Sequence, residues 1–549
     1  MASRVATRGV GGSLGAGLST PDRYLGAIIL TTLVILPLAF LPVMEDSFAL
    51  PKVTVLRMAL GLTLVCLAAI SVSDGKKVLP APLGALALCY LCLNVLAFFV
   101  SSDPSRSLLG EYLQYQGVIT ILAYIVFFYA SARVFQPAQR VQLLLWAAVA
   151  GGVPVAAYAL GQTLDLDPIG WSFGSGPPER AFSSIGQANA LAAYLVLVIP
   201  LAVGLLRGAT PLRKYLLLAV IAMSVAALAV TFSRAGYLAL FVALSIALLP
   251  AARHSVSRGA LFKILGLTAV FTIFVLSVQP LRATAGEVVD RAVSAGDLHD
   301  TSMQKRLGMW EVAGQIIIDR PLLGTGHETY PEMFSQYRDS ELPGFGLSPA
   351  RPESPHNNYL AIASSTGVAS LAVYLAIIGS VFYLVLFRRG TGVTGNPTGT
   401  ALSYAVCGAL AGHLITDAFM TAETASSWLF WLLMGAAAGG AAAEENRSLA
   451  DASSRANSSP SWRVALRPAV VSVGVAIAVL SIFPVLAEGE ASQANRSANE
   501  GNFYAAASQY GRAARLNPFE SRYSERRADA LFRGVADEYP ERGVALRPP

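Results

Sequence analysis

The chain has 549 residues, of which 54% are hydrophobic and only 13% are charged. Soluble domains carry about 25% charged residues, so this composition excludes a protein that lies mostly in water. The net charge of +6 does not indicate a nucleic-acid-binding protein, because the basic residues lie in joints between apolar runs and form no single patch.

Apolar runs recur along the chain, and each is long enough to cross a hydrocarbon layer of ~30 Å as a helix. They are continuous in Leu, Ala and Val without alternation, which excludes a barrel of strands. The predicted transmembrane helices cover residues 24–43, 53–72, 82–101, 116–134, 141–160, 187–206, 213–231, 235–250, 261–279, 358–387, 400–420, 425–442 and 466–486. The predicted fold is therefore all-α: a polytopic membrane helix bundle of about 12–13 transmembrane helices.

Alternate joints between these helices are rich in arginine and lysine, whereas the others are acidic or neutral. Short basic joints stay on the cytoplasmic side of a membrane, which predicts a cytoplasmic N-terminus and an extracytoplasmic C-terminus. The predicted organisation is a cytoplasmic segment at 1–22, transmembrane helices 1–9 at 23–279, a large extracytoplasmic loop at 280–357, transmembrane helices 10–13 at 358–487, and a small extracytoplasmic helical tail at 488–549.

The sequence contains no pattern for a metal or a cofactor. Cys89 and Cys92 form a single C-x-x-C, and a zinc site needs further ligands. The five histidines form no H-E-x-x-H, and the chain has no Walker loop and no G-x-S-x-G. We therefore expect neither a metal ion nor a cofactor.

Two outer segments contain residues that suit anion chemistry. The very short joint at 232–236 places Arg234 at the outer membrane face, either as an anion site or as an arginine snorkelling to the interface. The long loop contains an amphipathic helix that begins near Met303 and ends at Pro321, because proline stops a helix. The loop closes with Ser354 and Pro355, which predicts that His356 lies in the first turn of the tenth transmembrane helix.

Arg180, Arg234 and Arg306 all fall on the outer side, together with His356. The planar fork of arginine binds phosphate oxygens through paired hydrogen bonds, as an enzyme with a lipid-diphosphate donor would need. A neutral imidazole could accept a proton from an acceptor hydroxyl, and the positive end of the adjacent helix disfavours its protonation. The simpler interpretation of His356 alone is a capping or interfacial histidine.

Five stretches of the outer segments occur in a distinctive order. They are Arg180 followed by Gly186, Asn189, Leu191 and Ala192; Thr231-Phe232-Ser233-Arg234-Ala235-Gly236; Arg306-Leu307-Gly308-Met309-Trp310; Asp319-Arg320-Pro321-Leu322-Leu323-Gly324-Thr325-Gly326; and His356-Asn357-Asn358-Tyr359-Leu360 followed by Gly367. Together they resemble the O-antigen ligase and polymerase superfamily in order, spacing and side of the membrane. The resemblance covers roughly residues 20–440.

The resemblance implies a multi-pass enzyme of the bacterial plasma membrane that transfers a glycan from undecaprenyl diphosphate to an acceptor hydroxyl, with inversion and without nucleotide or metal. Arg234 and Arg306 would then bind the diphosphate with help from Arg180, and His356 would act as base or orient the acceptor. We add Asn357 and Tyr330 as candidate substrate contacts.

One position departs from the family pattern. Relatives that carry repeats often have arginine where this chain has Gln114. We therefore assign no anion contact to this position.

The tail resembles the second half of a tetratricopeptide unit, with Gly501, Ala506, Tyr510, Ala513 and Pro518 at the expected spacings. About one and a half repeats fit, and such a unit must pack on the membrane domain or on a partner protein to bury its apolar face. The implied partners are the lipid-linked donor, a lipid, glycan or protein acceptor, membrane lipids and a protein partner for the tail, with no nucleic acid.

Three classes of function remain open at this point. The first is a glycan ligase, a polymerase or a protein O-oligosaccharyltransferase of the same superfamily. The second is a flippase or transporter, for which Asp417 is the one suitable intramembrane acid, although no broken-helix repeat pattern supports it. The third is a non-catalytic assembly scaffold, in which the arginines and the histidine would be incidental.

Overall fold

A computed structural model describes residues 18–70, 78–136, 138–171, 179–253, 301–338, 345, 351–387, 397–450 and 465–538. Within these ranges every regular element is a helix and no strand occurs. The prediction of an all-α fold is therefore confirmed.

The described α-helices are numbered here in chain order. They are α1 (Thr20–Ile35), α2 (Ala49–Ala69), α3 (Ala81–Phe99), α4 (Pro104–Leu109), α5 (Val118–Val134), α6 (Ala138–Thr163), α7 (Ala188–Leu205), α8 (Pro211–Ala229), α9 (Arg234–Arg253), α10 (Thr301–Asp319), α11 (Tyr330–Tyr337), α12 (Asn358–Thr366), α13 (Val368–Leu386), α14 (Pro397–Asp417), α15 (Thr424–Ala450), α16 (Arg467–Leu480), α17 (Phe483–Asn499), α18 (Phe503–Leu516) and α19 (Ser521–Glu538). Short 3₁₀ turns at Leu36–Leu38 and Ser183–Ile185 complete the described elements.

Many of these helices have the length and apolarity to cross a membrane. Among the described residues, nine segments have the length and apolarity of a span, and α5 and the first part of α9 are shorter apolar helices. The multi-pass membrane protein expected from composition is thus confirmed. The predicted span 261–279 lies outside the described residues.

Small residues set the packing at the centre of the bundle. A side-chain carbon at Gly408 of α14 would collide with the backbone oxygen of Ala243 on α9. Gly435 and Gly439 on α15 lie equally close to the backbone of α5. Because lipid offers no hydrophobic driving force between helices, close backbone approach of this kind stabilises their association. The most buried helix is α7, which lies inside the bundle.

The predicted single span at 358–387 is wrong, because the structure breaks it into α12 and α13. The break is at Gly367, whose φ of 89° lies in a region that favours glycine. The N–H of Val368 donates to the backbone oxygen of Pro321 at 2.8 Å, which ties the break to the end of α10. The long loop therefore packs against the broken helix.

The joints assigned to the outer side meet at one end of the bundle. Ser107 donates to the backbone oxygen of His327 at 3.1 Å, and the side chain of Gln116 donates to Thr424 at 3.3 Å. At the opposite end, Asp22 and Arg133 form a buried ion pair at 2.6 Å. The grouping of joints follows the alternation of basic and acidic segments in the sequence.

The tail helices α17, α18 and α19 pack on one another around Ala506, Tyr510 and Ala513. They also pack on the membrane bundle, because the fully buried carboxylate of Glu488 accepts the backbone N–H of Asp46 at 3.3 Å. The tail thus buries its apolar face on itself and on the membrane domain. Its assignment as a tetratricopeptide unit stays a prediction.

Candidate functional site

Three arginines from separate parts of the chain line one cavity at the end of the bundle where the outer joints meet. Arg180, Arg234 and Arg306 surround about 720 Å³ of empty space, part of it open to solvent. Asn189 and Ser233 contribute polar groups to the same wall. We call this the arginine cavity. Its charge suits an anion.

Arg180 is held in place by two hydrogen bonds. Its Nε donates to the backbone oxygen of Thr231 at 2.8 Å, and its Nη2 donates to Oδ1 of Asn189 at 2.7 Å. The first partner lies in the joint before α9 and the second lies at the start of α7. Arg180 therefore links the two helix ends that form the cavity wall.

Arg234 is the first residue of α9 and follows a tight joint. Phe232 adopts a φ of 50°, which turns the chain sharply between α8 and α9. The Oγ of Ser233 accepts the N–H of Gly236 at 3.3 Å, which satisfies one of the donors at the helix start. The positive end of the helix dipole therefore adds to the charge of Arg234 in attracting an anion.

Arg306 reaches the cavity from α10, which is anchored by its own small core. Met309, Val312 and Ile316 on this helix are buried against Phe334 of α11. One turn beyond Arg306, the indole N–H of Trp310 donates to the backbone oxygen of Pro355 at 3.0 Å. The same helix therefore positions an arginine and the residue before His356.

The sequence predicts His356 in the first turn of a helix, and this prediction is wrong. His356 precedes the helix cap and adopts a φ of 48°, in the left-handed region. Burial lowers the pKa of His356 below its usual value, and the positive charge of Arg306 lowers it further. The imidazole is therefore neutral near pH 7, and the causes are burial and the charge of Arg306.

Residues 217–375 match the family model described as O-antigen ligase. This segment of the chain is therefore similar to the O-antigen ligase family, in agreement with the resemblance seen in the sequence. No curated protein matches the chain. The matched segment contains Arg234, Arg306 and His356, whereas Arg180 lies before it. The match supports a membrane enzyme of the ligase or polymerase type, a family whose substrates are a lipid-linked glycan and an acceptor.

The remaining candidate residues lie outside the arginine cavity. The side-chain oxygen of Asn357 accepts the N–H of Leu360 at 3.1 Å and so caps α12. The hydroxyl of Tyr330 donates to the backbone oxygen of Met309 at 2.7 Å, and its side chain lines a neighbouring cavity. The structure thus brings the three arginines into one cavity and places Arg306 close enough for its charge to act on His356, but it does not bring Tyr330 into the arginine cavity.

That neighbouring cavity was not expected from the sequence. Its lining includes Gln116, Glu328, Glu353 and Asp417, which come from four separate segments. Each of these residues is isolated in the sequence, so no motif points to the group. The only available signal was the departure from the family pattern at Gln114, which also lines this cavity.

Within the described ranges, no three His, Cys, Asp or Glu side chains gather as a metal ion would need. The polar groups of the site are arginines, amides, histidines and scattered carboxyls. The arginines among them can bind an anion directly.

Proposed function

We propose that this protein transfers a glycan from undecaprenyl diphosphate to an acceptor hydroxyl at the outer face of the bacterial plasma membrane. The observation that carries the proposal is that Arg180, Arg234 and Arg306 line one cavity while the charge of Arg306 acts on His356. The superfamily match supplies the class of reaction. The identity of the donor, the direction of transfer and the orientation of the protein in the membrane are parts of the proposal.

The arginine cavity would hold the diphosphate of the donor. Arginine pairs with phosphate oxygens through two parallel hydrogen bonds, and such bonds are stronger than those between neutral groups. As the sugar leaves, negative charge grows on the bridging phosphate oxygen. Fixed cationic donors aimed at that charge are usually the largest contribution to catalysis. Arg234 and Arg306 take this role, and Arg180 supports the joint before Arg234.

His356 would accept the proton of the acceptor hydroxyl. The acceptor oxygen forms a bond to the anomeric carbon as the bond from that carbon to the phosphate oxygen breaks. The proton passes to the imidazole, and undecaprenyl diphosphate leaves with the bonding electrons. A neutral imidazole is required for this step, which agrees with the direction in which burial and Arg306 move the pKa of His356.

The alternative with a specific observation behind it is transport. Asp417 is buried in α14, where its Oδ2 accepts a hydrogen bond from Asn358 at 2.9 Å and its Oδ1 lies 3.5 Å from His413. A buried acid beside a histidine also occurs in proton relays of transporters. The arginine cavity has no role in that alternative beyond substrate binding, so we place it second.

A reconstituted assay tests the proposal. The purified full-length chain is placed in lipid vesicles with an undecaprenyl-diphosphate-linked oligosaccharide and a mixture of extracted envelope glycolipids, glycans and proteins. Covalent transfer to any acceptor supports the proposal. Movement of the lipid-linked glycan across the bilayer without transfer indicates a flippase. If neither transfer nor movement occurs, the protein is a scaffold.

A further inference from the structure

The second cavity lies beside the arginine cavity and is similar in size but different in chemistry. It encloses about 810 Å³ of empty space, part of it open to solvent. Segment 416–422 contributes to both cavities: Thr416, Phe419 and Met420 face the arginines, whereas Asp417 and Thr421 face the second cavity. The two spaces therefore share a wall.

Among the described residues that line the second cavity, none is an arginine or a lysine. Burial lowers the pKa of His327 to about 4, so this histidine is neutral near pH 7. Burial also raises the pKa of Glu328 to about 8, against the opposing effect of hydrogen bonds from backbone N–H groups. Glu353 at the exposed rim and Asp417 at the inner wall are the other carboxyls. A phosphate would find no cation here to pair with.

Several buried polar atoms of the lining have no hydrogen-bond partner. They are Oδ1 of Asn94, Nε2 of His327 and Nδ1 of His413, on side chains that are 1%, 6% and 1% exposed. An unsatisfied buried polar atom is destabilising by ~1–3 kcal/mol, so such atoms usually mark a missing partner. Hydroxyl groups both donate and accept hydrogen bonds, so they suit both the amide oxygen and the ring nitrogens.

The inner wall is aromatic. The ring of Trp431 lies 6.0 Å from that of Tyr90, 6.5 Å from that of Tyr124 and 6.1 Å from that of Tyr374. All four side chains line the cavity. Apolar walls with a few polar groups are typical of small-molecule sites. A sugar ring presents apolar C–H faces and a hydroxyl rim, which matches this division.

The second cavity also reaches the segment that carries His356. Pro355 and Asn358, on either side of this histidine, are part of its lining. A hydroxyl bound here would lie near the segment that carries the imidazole, while the diphosphate would lie on the other side of the shared wall.

We infer that the second cavity binds an uncharged sugar of the acceptor and discriminates against acceptors that carry phosphate or carboxylate at that position. The inference rests on the proposed function and names its acceptor class as a glycan hydroxyl, in preference to a protein side chain.

Gln114 is the specificity-determining residue at the rim. Its Nε2 donates to Glu353 at 3.5 Å, and its backbone oxygen accepts a hydrogen bond from Gln116 at 3.2 Å. Glu328 holds this turn by accepting the backbone N–H groups of Glu111 and Gln116. A cation placed at position 114 would therefore enter the rim of the cavity without changing the arginine cavity.

The test is a glycan array that carries uncharged, phosphorylated and carboxylated saccharides together with serine- and threonine-containing peptides. The detergent-solubilised full-length chain is applied with inorganic diphosphate present, which occupies the arginine cavity. We expect binding to uncharged saccharides at least tenfold above binding to the charged ones and to the peptides. The substitution Gln114→Arg should reduce that preference at least tenfold by admitting charged saccharides.

The matched control is Leu113→Arg. Leu113 is the neighbouring residue, is 43% exposed and does not line the cavity, so this substitution should leave the preference unchanged. Equal or stronger binding of charged saccharides by the unmodified chain, selective binding of peptides, absence of all binding, or an equal effect of both substitutions would overturn the inference. The array measures no transfer, so a failed transfer assay refutes the proposed function without deciding the array result.

Discussion

The two cavities at one end of the bundle differ in charge although they share a wall. Arg180, Arg234 and Arg306 surround the first, whereas the described lining of the second contains amides, carboxyls and aromatic rings but no arginine or lysine. A transfer reaction needs both kinds of space, because the leaving group is an anion and the incoming group is a hydroxyl. The difference indicates that donor and acceptor are distinguished by electrostatics as well as by shape.

The largest expected effect is at His356, which lies next to Pro355 of the second cavity and feels the charge of Arg306 of the arginine cavity. Loss of a positioned proton acceptor typically reduces a rate by ~10²–10⁴-fold, and we expect this for His356→Asn in the transfer assay. Asparagine is the suitable replacement because it tolerates the left-handed backbone at this position. Binding of labelled undecaprenyl diphosphate should be unchanged. A variant that keeps full transfer would show that His356 is not the base.

On the donor side, Arg234→Ala should reduce transfer by ~10²–10³-fold, which is typical for the loss of one donor to a developing anion. Arg234→Lys should recover only part of that loss, because lysine keeps the charge but not the paired hydrogen bonds. Arg213→Ala is the control, since this exposed arginine lies at the opposite end of the bundle. Equal losses in the two alanine variants would contradict a donor site at Arg234.

The pH dependence of His356 tests whether the charge of the arginine cavity lowers the pKa of this imidazole. Because its pKa is lowered, the imidazole stays neutral as the pH falls below 6.5 and becomes protonated only at a lower pH. Arg306→Gln removes one of the two causes, so protonation should begin at a higher pH. The rate at which diethyl pyrocarbonate modifies His356, followed by mass spectrometry from pH 5 to 7.5, reports the neutral form directly. An unchanged profile would show that the charge of Arg306 does not reach the imidazole.

The smallest effect concerns the tail, which contacts the turn that carries Gln114. Glu488 accepts the hydroxyl hydrogen bonds of Tyr112 at 3.1 Å and Tyr523 at 2.7 Å. Glu488→Ala should loosen the tail and raise the acceptor KM a few-fold while donor binding stays the same, because leaving buried donors unpaired is destabilising by ~1–3 kcal/mol.

The control for the tail is Arg526→Ala. Arg526 pairs with Glu45 at 2.5 and 2.6 Å, but both side chains are about one-third exposed, so the loss should be within ~1 kcal/mol. The rate of limited proteolysis in the tail compares the two variants. A larger increase in the proteolysis rate for Arg526→Ala than for Glu488→Ala would show that the Arg526 contact, and not the Glu488 contacts, holds the tail in place.

Much of the fold could be predicted from the sequence, because crossing a membrane depends on local length and apolarity. The predicted span 187–206 agrees with α7, and the span 213–231 agrees with α8 to within two residues. The alternation of basic joints also grouped the loops correctly at the two ends. The break at Gly367 was not predicted, because a glycine inside an apolar run gives no sign of the backbone that packs against it.

For the site, the sequence by itself determined which side chains could bind a diphosphate and on which end they lie. Tertiary structure decided that Arg180, Arg234 and Arg306 share a cavity, that His356 lies before a helix instead of within it, and that Tyr330 faces a different space. The physical reason is that the apolar content of a segment governs its insertion into lipid, whereas the meeting of side chains depends on contacts between segments that are far apart in the chain. The second cavity is assembled entirely by such contacts.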